Sequence, residues 1–384
     1  MRDHAQEGAI GQGDMREMIR ALGLMSGTSM DGIDVAMIET DGERVVRSGA
    51  SMTFDYSPEM RERLATGIDQ ARSINGRCER PGLLADIERE LTELHASAVS
   101  AFLRKSCLVR SDIDVIGFHG QTVLHRPEDH LTVQIGDGAL LAKLTHRPVV
   151  YDLRARDMEL GGQGAPLAPV YHRALLAELA PRPAVVVNIG GVGNVTWISA
   201  QGDLIAFDTG PGNALIDDWV RAKAGRACDI GGALAAQGRV DEAAVAQFGM
   251  HPYLELSAPK SLDRNTFSLD VVAGMSIEDG AATLTAITAE TIARARSLMP
   301  EAPLAWIISG GGRKNPTLMA MLQERLPGEV LSAEVAGLNG DSVEAEAWAF
   351  MAVRSLKGLP ITFPGTTGVR FPASGGVLVD PASI

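Results

Sequence analysis

Apolar residues along this chain follow two kinds of pattern: short runs typical of buried strands, and longer stretches with helical spacing. Residues 22–39 (LGLMSGTSMDGIDVAMIE) place two apolar runs on either side of a turn rich in Gly, Ser, Thr and Asp, which predicts a β-hairpin. Residues 184–199 (AVVVNIGGVGNVTWIS) repeat this arrangement around a second Gly-rich turn. Two such hairpins far apart in the chain indicate two related halves.

The segments around the hairpins alternate between strand and helix. Apolar residues such as Leu84 and Ile87 follow helical spacing within 83–105, which predicts an amphipathic helix. Asn315 followed by Pro316 is typical of an N-cap and the first helical position. The other predicted strands are 114–118, 132–135, 149–152, 204–207, 303–309 and 329–332, and the other predicted helices are 139–145, 172–179, the segment from 213, 281–298 and 342–356.

These patterns predict an α/β protein of two lobes with its ligands in a crevice at the strand ends. The length of 384 residues fits two domains of roughly 100–200 residues each. We expect residues 1–20 to be a flexible N-terminal extension, 21–155 to form the first lobe and 156–384 to form the second lobe. The C-terminal tail is rich in Pro and Gly and could return to the first lobe.

Composition and charge exclude several classes of function. The chain has 48 acidic and 35 basic residues and a net charge of −13, which argues against nucleic-acid binding because that binding depends on Lys and Arg neutralising phosphates. No apolar run approaches about 18 residues, so neither a transmembrane helix nor a membrane partner is expected. The first twenty residues lack the apolar segment of a signal peptide, and the three cysteines are widely spaced, as in reduced cytosolic proteins. We therefore expect a cytoplasmic protein. The sequence leaves its oligomeric state open, with a homodimer as one alternative.

Three Gly-rich segments are candidates for nucleotide binding. The first hairpin turn exposes backbone N–H groups and hydroxyls that suit phosphate oxygens, and its Asp31 and Asp34 could orient Mg²⁺ or its waters. The turn of the second hairpin would let backbone approach phosphates from the other lobe, and three glycines after strand 303–309 would let backbone lie against a planar ring. Each segment could also be a plain turn. The candidate ATP-binding residues are Gly27, Thr28, Ser29, Met30, Asp31, Gly32, Ile33, Asp34, Gly190, Gly191, Gly310, Gly311 and Gly312.

Asp208 is the candidate catalytic residue. It ends a predicted strand and begins the segment DTGPGN, which leads into a helix. A carboxylate in that position can act as a general base beside a helix N-terminus that receives phosphate. The alternative is that Asp208 only caps a turn or the helix.

Polar residues on several loops are candidates for substrate binding. A histidine, an amide and a hydroxyl follow a strand in the first lobe and suit a polyhydroxyl substrate, although a structural histidine is the alternative. Asp152 and Arg154 precede a Gly- and Pro-rich loop and could instead form surface pairs. For Glu344, a capping box with Asp341 as the N-cap competes with a contact in the cleft. The full set is His119, Gln121, Thr122, Asp152, Arg154, Lys260 and Glu344.

Seven segments in the same order resemble the anhydro-N-acetylmuramic acid kinase family, a peptidoglycan-recycling branch of the sugar kinase, heat-shock chaperone and actin superfamily. They are GLMSGTSMDGID, GFHGQTVLHRP, TVQIGDGALLA, GGQGAPLAP, NIGGVGN, FDTGPGN and ISGGGRKN. The resemblance covers about residues 22 to 356, and the N-terminal extension falls outside it.

The resemblance implies a duplicated, ribonuclease H-like fold of two lobes with ATP in the cleft between them. It also implies a reaction in which water opens the 1,6-anhydro ring and the 6-oxygen takes the γ-phosphate of ATP, carried with Mg²⁺, to give N-acetylmuramic acid 6-phosphate. Asp208 matches the family's catalytic aspartate, Gly27–Asp34 its ATP phosphate loop and Gly310–Gly312 its adenosine-side motif. Two alternatives stay open: a kinase of another sugar or sugar acid on the same fold, and a non-catalytic nucleotide-switch protein.

Overall fold

The computed structural model describes residues 17–27, 30–177, 181–262 and 266–384, so most of the N-terminal extension expected over 1–20 lies outside it. The described strands are β1 (Ile19–Met25), β2 (Gly32–Thr40), β3 (Val46–Asp55), β4 (Val115–Phe118), β5 (Gln121–Arg126), β6 (Leu131–Ile135), β7 (Val149–Tyr151), β8 (Ala184–Ile189), β9 (Val192–Ile198), β10 (Leu204–Pro211), β11 (Ala305–Ser309), β12 (Glu329–Ser332) and β13 (Val377–Val379). The described α-helices are α1 (Pro58–Ala71), α2 (Leu84–Lys105), α3 (Gly138–Thr145), α4 (Ala155–Glu159), α5 (Pro169–Leu175), α6 (Ala214–Ala224), α7 (Glu242–Phe248), α8 (Ile277–Arg294), α9 (Pro316–Arg325), α10 (Val343–Leu356) and α11 (Pro364–Thr367).

Two sheets of matching topology form the framework of the described chain. The first has the strand order β13-β7-β4-β1-β2-β3 and the second has the order β10-β9-β8-β11-β12. In both sheets an antiparallel meander of three strands comes first in the chain, and two later strands then add in parallel beside the first strand of that meander. This repetition confirms the expectation of a duplicated α/β fold with two lobes.

Helix α10 connects the two ends of the chain, because it packs across β1, β2 and β4 of the first sheet. The contact is so close that a Cβ atom on Gly23 would lie 1.7 Å from the backbone oxygen of Ala345. One apolar core includes Val115 of the first sheet, Ile307 of the second and Phe350 of α10. Strand β13 pairs with β7, so the C-terminal tail adds an edge strand to the first sheet. The division between lobes at residue 155 stays a prediction, because α10 and β13 come from the second stretch of sequence yet pack on the first sheet.

Most predicted elements are found within one or two residues of their expected bounds, and two local predictions are wrong. The segment DTGPG, after the strand predicted over 204–207, was expected to be a loop, but β10 continues through Pro211 because its pairing with β9 persists past a register shift after Asp208. The capping box at α10 is also absent, since Ser342 holds the N-cap position and makes no side-chain cap. The Asp341 carboxylate instead pairs with Arg313 at 2.8 Å, which leaves Glu344 available to the cleft.

Candidate active site

Four polar side chains form a row across the end of the second sheet. Ser309 pairs with Asn188, Asn188 with Asn194, and Asn194 with Asp208, on four neighbouring strands. Residues in register on neighbouring strands point to the same face of a sheet, so the row presents its side chains together. All four line a cavity of about 230 Å³ between the second sheet and α10.

The remaining walls of this cavity come from segments far apart in the sequence. Three of the predicted substrate residues lie here with Asp208. The further lining residues are Met25, Arg154, Ala165, Pro166, Leu167, Ala168, His172, Lys260, Ser261, Val343, Glu344, Ala347, Trp348 and Met351. Asn188, Asn194 and Ser309 were not among the predicted site residues, although Asn194 and Ser309 each stand beside a glycine at the end of an apolar strand.

Asp208 is held by hydrogen bonds to both its backbone and its carboxylate. Its N–H donates to Lys260 O at 3.0 Å, and its carbonyl accepts from the Tyr253 hydroxyl at 2.7 Å. Its Oδ2 accepts from the Leu262 N–H at 2.8 Å. Burial raises the pKa of Asp208 to about 7, and the Leu262 N–H opposes that rise because it stabilises the anion. A carboxyl group that titrates near neutral pH can take up a proton during turnover.

Arg154 and Glu344 place opposite charges on the walls of the same cavity. Arg154 Nη1 donates to Gly164 O at 2.8 Å, and its guanidinium lies 5.3 Å from the ring centre of Trp348. Its buried Nε has no hydrogen-bond partner among the described residues. Burial lowers the pKa of Arg154 to about 10, so the group stays charged. Glu344 Oε1 accepts from Asn188 Nδ2 at 3.1 Å, and burial raises the pKa of the Glu344 carboxyl.

Lys260 lines the cavity, but its ammonium group turns towards the protein. Nζ donates to Tyr253 O at 3.1 Å and to Leu254 O at 3.2 Å. Burial lowers the pKa of Lys260, while Glu255 acts in the opposite direction. Its predicted contact with the substrate would therefore involve the side-chain stem or the backbone rather than the charge.

Two of the predicted substrate residues of the first lobe, His119 and Asp152, line a second cavity of about 350 Å³. His119 Nδ1 lies 3.0 Å from Ser26 O, and Thr122 Oγ1 lies 3.4 Å from its Nε2. Burial lowers the pKa of His119 to about 3, so the imidazole is neutral. The His119 ring packs 4.5 Å from the ring of Trp348, which lines the first cavity, so His119 lies between the two cavities.

Gln121 and Asp152 both have partners within the protein. Gln121 is buried; its Oε1 accepts from the Ser26 hydroxyl at 2.7 Å, and its Nε2 donates to Gly27 O at 3.2 Å. Asp152 pairs with Arg77. Burial raises the pKa of Asp152, and the Arg77 hydrogen bond opposes that rise. Gln121 thus supports the start of the first hairpin turn, and the Asp152–Arg77 pair forms part of the wall of the second cavity.

The first hairpin turn is described only in part, since Thr28 and Ser29 lie outside the described residues. The Met30 N–H donates to Gly27 O at 3.1 Å, and Met30 itself has a left-handed backbone with φ 56°. Asp34 Oδ1 accepts from the Thr53 hydroxyl at 2.5 Å. Burial raises the pKa of Asp34, and three neighbouring carboxylates, at positions 341, 31 and 55, add to the rise. A cation bound near this turn would relieve that repulsion.

The glycines of the second lobe fall into two groups. A Cβ atom on Gly190, Gly191 or Gly311 would meet other atoms only at 3.6–3.8 Å, so protein packing does not require glycine there. Such positions suit the close approach of a ligand to the backbone. By contrast, a Cβ atom on Gly310 would lie 2.3 Å from the side-chain oxygen of Asn188, and one on Gly312 would lie 2.5 Å from Ile189.

The N-terminus of α6 differs from the sequence expectation. The N–H of Gly212 donates to Gly191 O at 2.9 Å and the N–H of Asn213 donates to Gly190 O at 2.7 Å. These donors fasten the second hairpin turn to the helix, so they do not point at a ligand. Phosphate binding would then depend on the hairpin turns themselves. In the parts of the chain that are described, no group of three His, Cys, Asp or Glu could hold a metal ion, and no helix is long and apolar enough to cross a membrane.

Two lobes of matching topology, with a row of polar side chains at a cavity beside the second sheet, fit the class of sugar kinases. The family model for anhydro-N-acetylmuramic acid kinase matches residues 19–381. The chain is similar to anhydro-N-acetylmuramic acid kinase of Azorhizobium caulinodans, with 55% identity over 94% of this chain and 100% of the relative. It is also similar to the enzyme of the same name from Agrobacterium fabrum, with 52% identity over 95% of this chain and 100% of that relative. The chain therefore belongs to the anhydro-N-acetylmuramic acid kinase family.

Among solved structures, component A of the (R)-2-hydroxyglutaryl-CoA dehydratase of Acidaminococcus fermentans is similar at a TM-score of 0.47 and 13% identity, covering 88% of this chain and 99% of that one. The family match extends beyond the 22–356 range of the sequence resemblance at both ends. It includes β13, which pairs with the first sheet.

Proposed function

We propose that this chain is a phosphotransferase that opens the 1,6-anhydro ring of anhydro-N-acetylmuramic acid and phosphorylates the 6-oxygen, in the recycling of peptidoglycan. The observation that carries the proposal is the Asp208 carboxyl, with its pKa raised by burial to about 7, in the polar row of a cavity of about 230 Å³. The family match over residues 19–381 supports the choice of sugar.

Asp208 acts as the general base. It takes a proton from a water molecule whose oxygen forms a bond to the anomeric carbon, while the bond between that carbon and the 6-oxygen breaks. The 6-oxygen then forms a bond to the γ-phosphorus of ATP, and the bond from that phosphorus to the β–γ bridging oxygen breaks to release ADP. One base thus serves both bond changes, and the rest of catalysis depends on positioning and electrostatic stabilisation.

Arg154 binds the lactyl carboxylate of the sugar. It is the arginine among the described residues that lines the same cavity as Asp208, and its buried Nε has no partner there. The planar guanidinium suits a carboxylate, and a charge-assisted hydrogen bond would satisfy that donor. Glu344, fixed by Asn188 Nδ2, supplies a hydrogen-bond acceptor for a sugar hydroxyl on the opposite wall.

ATP binds along the hairpin turns, with its phosphates at Gly27–Asp34 and at Gly190 and Gly191, and its adenosine near Gly310–Gly312. The open space above Gly190, Gly191 and Gly311 fits this assignment. Magnesium arrives with ATP rather than in a protein cage, with Asp31 and Asp34 nearest to it, as its preference for few carboxylates and substrate phosphates suggests. When bound, it would neutralise charge on the phosphate oxygens. The homodimer and the cytoplasmic location stay predictions.

Mass spectrometry of the product formed in heavy-oxygen water tests the proposed reaction. We expect one heavy oxygen on the sugar carbon skeleton, none in the transferred phosphoryl group, and product formation slowed by about 10²–10⁴ with Asp208→Asn. A preference for another sugar in a panel would favour the alternative substrate. Tight ATP binding without turnover on any sugar would favour the nucleotide-switch alternative.

A further inference from the structure

A single segment, residues 253–262, fastens Asp208 at three of its polar atoms. The Tyr253 hydroxyl donates to Asp208 O at 2.7 Å, Lys260 O accepts from the Asp208 N–H at 3.0 Å, and the Leu262 N–H donates to Asp208 Oδ2 at 2.8 Å. Among the described residues, Oδ1 accepts no hydrogen bond. The segment therefore orients the carboxylate at the wall of the cavity.

Lys260 closes this segment on itself. Its side chain is 8% exposed, and Nζ donates back to Tyr253 O at 3.1 Å and Leu254 O at 3.2 Å. The ammonium also lies 4.7 Å from the ring centre of Tyr253 and 5.9 Å from that of Phe207. Two carbonyl acceptors and two aromatic rings hold this buried ammonium in place. The ammonium in turn holds the two ends of segment 253–262 together.

We propose that Lys260 is a positioning residue, whose ammonium closes segment 253–262 so that the Leu262 N–H holds Asp208 Oδ2 and Oδ1 is free to accept the proton. The proposal rests on the proposed function, in which Asp208 is the base. It differs from the expected role of Lys260 as a substrate contact, because the ammonium faces backbone carbonyls instead of the cavity.

The consequence for Asp208 follows from the hydrogen bond that the closed segment presents. An N–H donor to a carboxylate stabilises the charged form. Opening the segment removes that donor, so the carboxyl should titrate at a higher pH and lose its fixed orientation. The other titratable groups that face Asp208 are Tyr253 and, around the same cavity, Arg154, His172 and Glu344. Of these groups, Tyr253 is the one that contacts Lys260 among the described residues.

Lys260→Met tests the proposal in the full-length chain, with Lys143→Met, an exposed lysine on α3, as the matched control. Carbon-13 NMR of labelled aspartate, with the Asp208 signal assigned by its loss in Asp208→Asn, reports the carboxyl titration without any substrate. We expect the Asp208 pKa to rise by about one to two units, which is the loss of one hydrogen bond to a charged group. The acid limb of the pH profile of kcat/KM should move by the same amount, while the KM for the sugar stays within about twofold. Lys260→Arg should restore part of the wild-type profile.

An increased KM for the sugar with an unchanged pH profile would overturn the proposal and make Lys260 a substrate contact. If Lys260→Met does not fold, Lys260→Gln, which removes the charge but keeps a polar side chain, takes its place in the same titration. An unchanged titration of Asp208 in that folded variant would also overturn the proposal. If the titration of Asp208 shifts in Lys260→Met but the wild type does not phosphorylate the sugar, the proposed function is refuted and the positioning role stays in place.

Discussion

Replacing Asp208 by Asn should make the protein more stable at alkaline pH while it removes activity. Burial raises the pKa of Asp208 from 3.8 to about 7 in the folded chain. Between these two values the folded chain keeps a proton that the unfolded chain releases, so stability falls as the pH rises through this window and is level above about 7. Asn carries no such proton, and its side-chain oxygen can still accept from the Leu262 N–H.

The size of this effect follows from the shift in pKa. At 1.36 kcal/mol per unit, a rise from 3.8 to about 7 corresponds to an upper limit of about 4 kcal/mol. Because Asp208 is only half-buried, solvent screening reduces the effect, and we expect about 2 kcal/mol. For a chain of 384 residues this is a rise in Tm of about 2–3 °C, from the average entropy of unfolding per residue.

Thermal unfolding at pH 4 and pH 8 measures the difference in Tm between Asp208→Asn and the wild type. Asp69→Asn, at an exposed position of α1, is the control. We expect Asp208→Asn to exceed the wild type at pH 8 and to match it at pH 4, while the control changes little at either pH. In the same variant, activity should fall by about 10²–10⁴. In the wild type, kcat/KM at pH 6 should be about a tenth of its plateau, because the base must be ionised. The raised pKa of Asp208 would be refuted if Asp208→Asn gained no stability at pH 8 and the kcat/KM of the wild type fell only near pH 4.

Three further outcomes are expected. Gly191→Val should weaken ATP binding at least about tenfold without lowering Tm, because the new Cβ would meet its nearest neighbour only at 3.7 Å. Gly23→Val should not fold, because its Cβ would lie 1.7 Å from a backbone oxygen of α10. Calorimetry measures the ATP affinity of the first variant, and circular dichroism measures the folding of both. Arg154→Met should raise the KM for the sugar about 10- to 100-fold and leave the KM for ATP unchanged. Arg156→Met, at an exposed position, is its control. Equal effects on both KM values would contradict the role of Arg154 in binding the sugar carboxylate. Removing magnesium with a chelator should stop turnover without changing Tm, since the described residues build no metal cage.

Local patterns predicted the elements of this fold well. The hairpin turns, helix α2 and the N-cap at Asn315 are determined by residues close together in sequence, and the structure has all of them. The prediction of a capping box with Asp341 was wrong because a residue distant in sequence decides the outcome: Arg313 forms an ion pair with the Asp341 carboxylate.

The candidate site depends on contacts that short segments do not encode. Asn188 and Asn194 stand out only once β8 and β9 are aligned, because register brings them into one row with Asp208. Another arginine, Arg156, follows two residues after Arg154, and only the tertiary structure shows that Arg154 is the one of this pair that lines the cavity with the base. The position of α10 on the first sheet is a contact between the two ends of the chain, and amphipathic periodicity carries no information about it.

That placement of α10 has a consequence for biosynthesis. The first sheet lacks its covering helix and its edge strand β13 until the last residues leave the ribosome. The strands that are made first therefore stay incompletely packed, with apolar residues such as Ile38 and Val115 uncovered, until α10 has been synthesised. Contacts of such long sequence separation fold slowly. A nascent chain stalled before residue 343 should remain sensitive to protease throughout its N-terminal half, and that half expressed alone should aggregate.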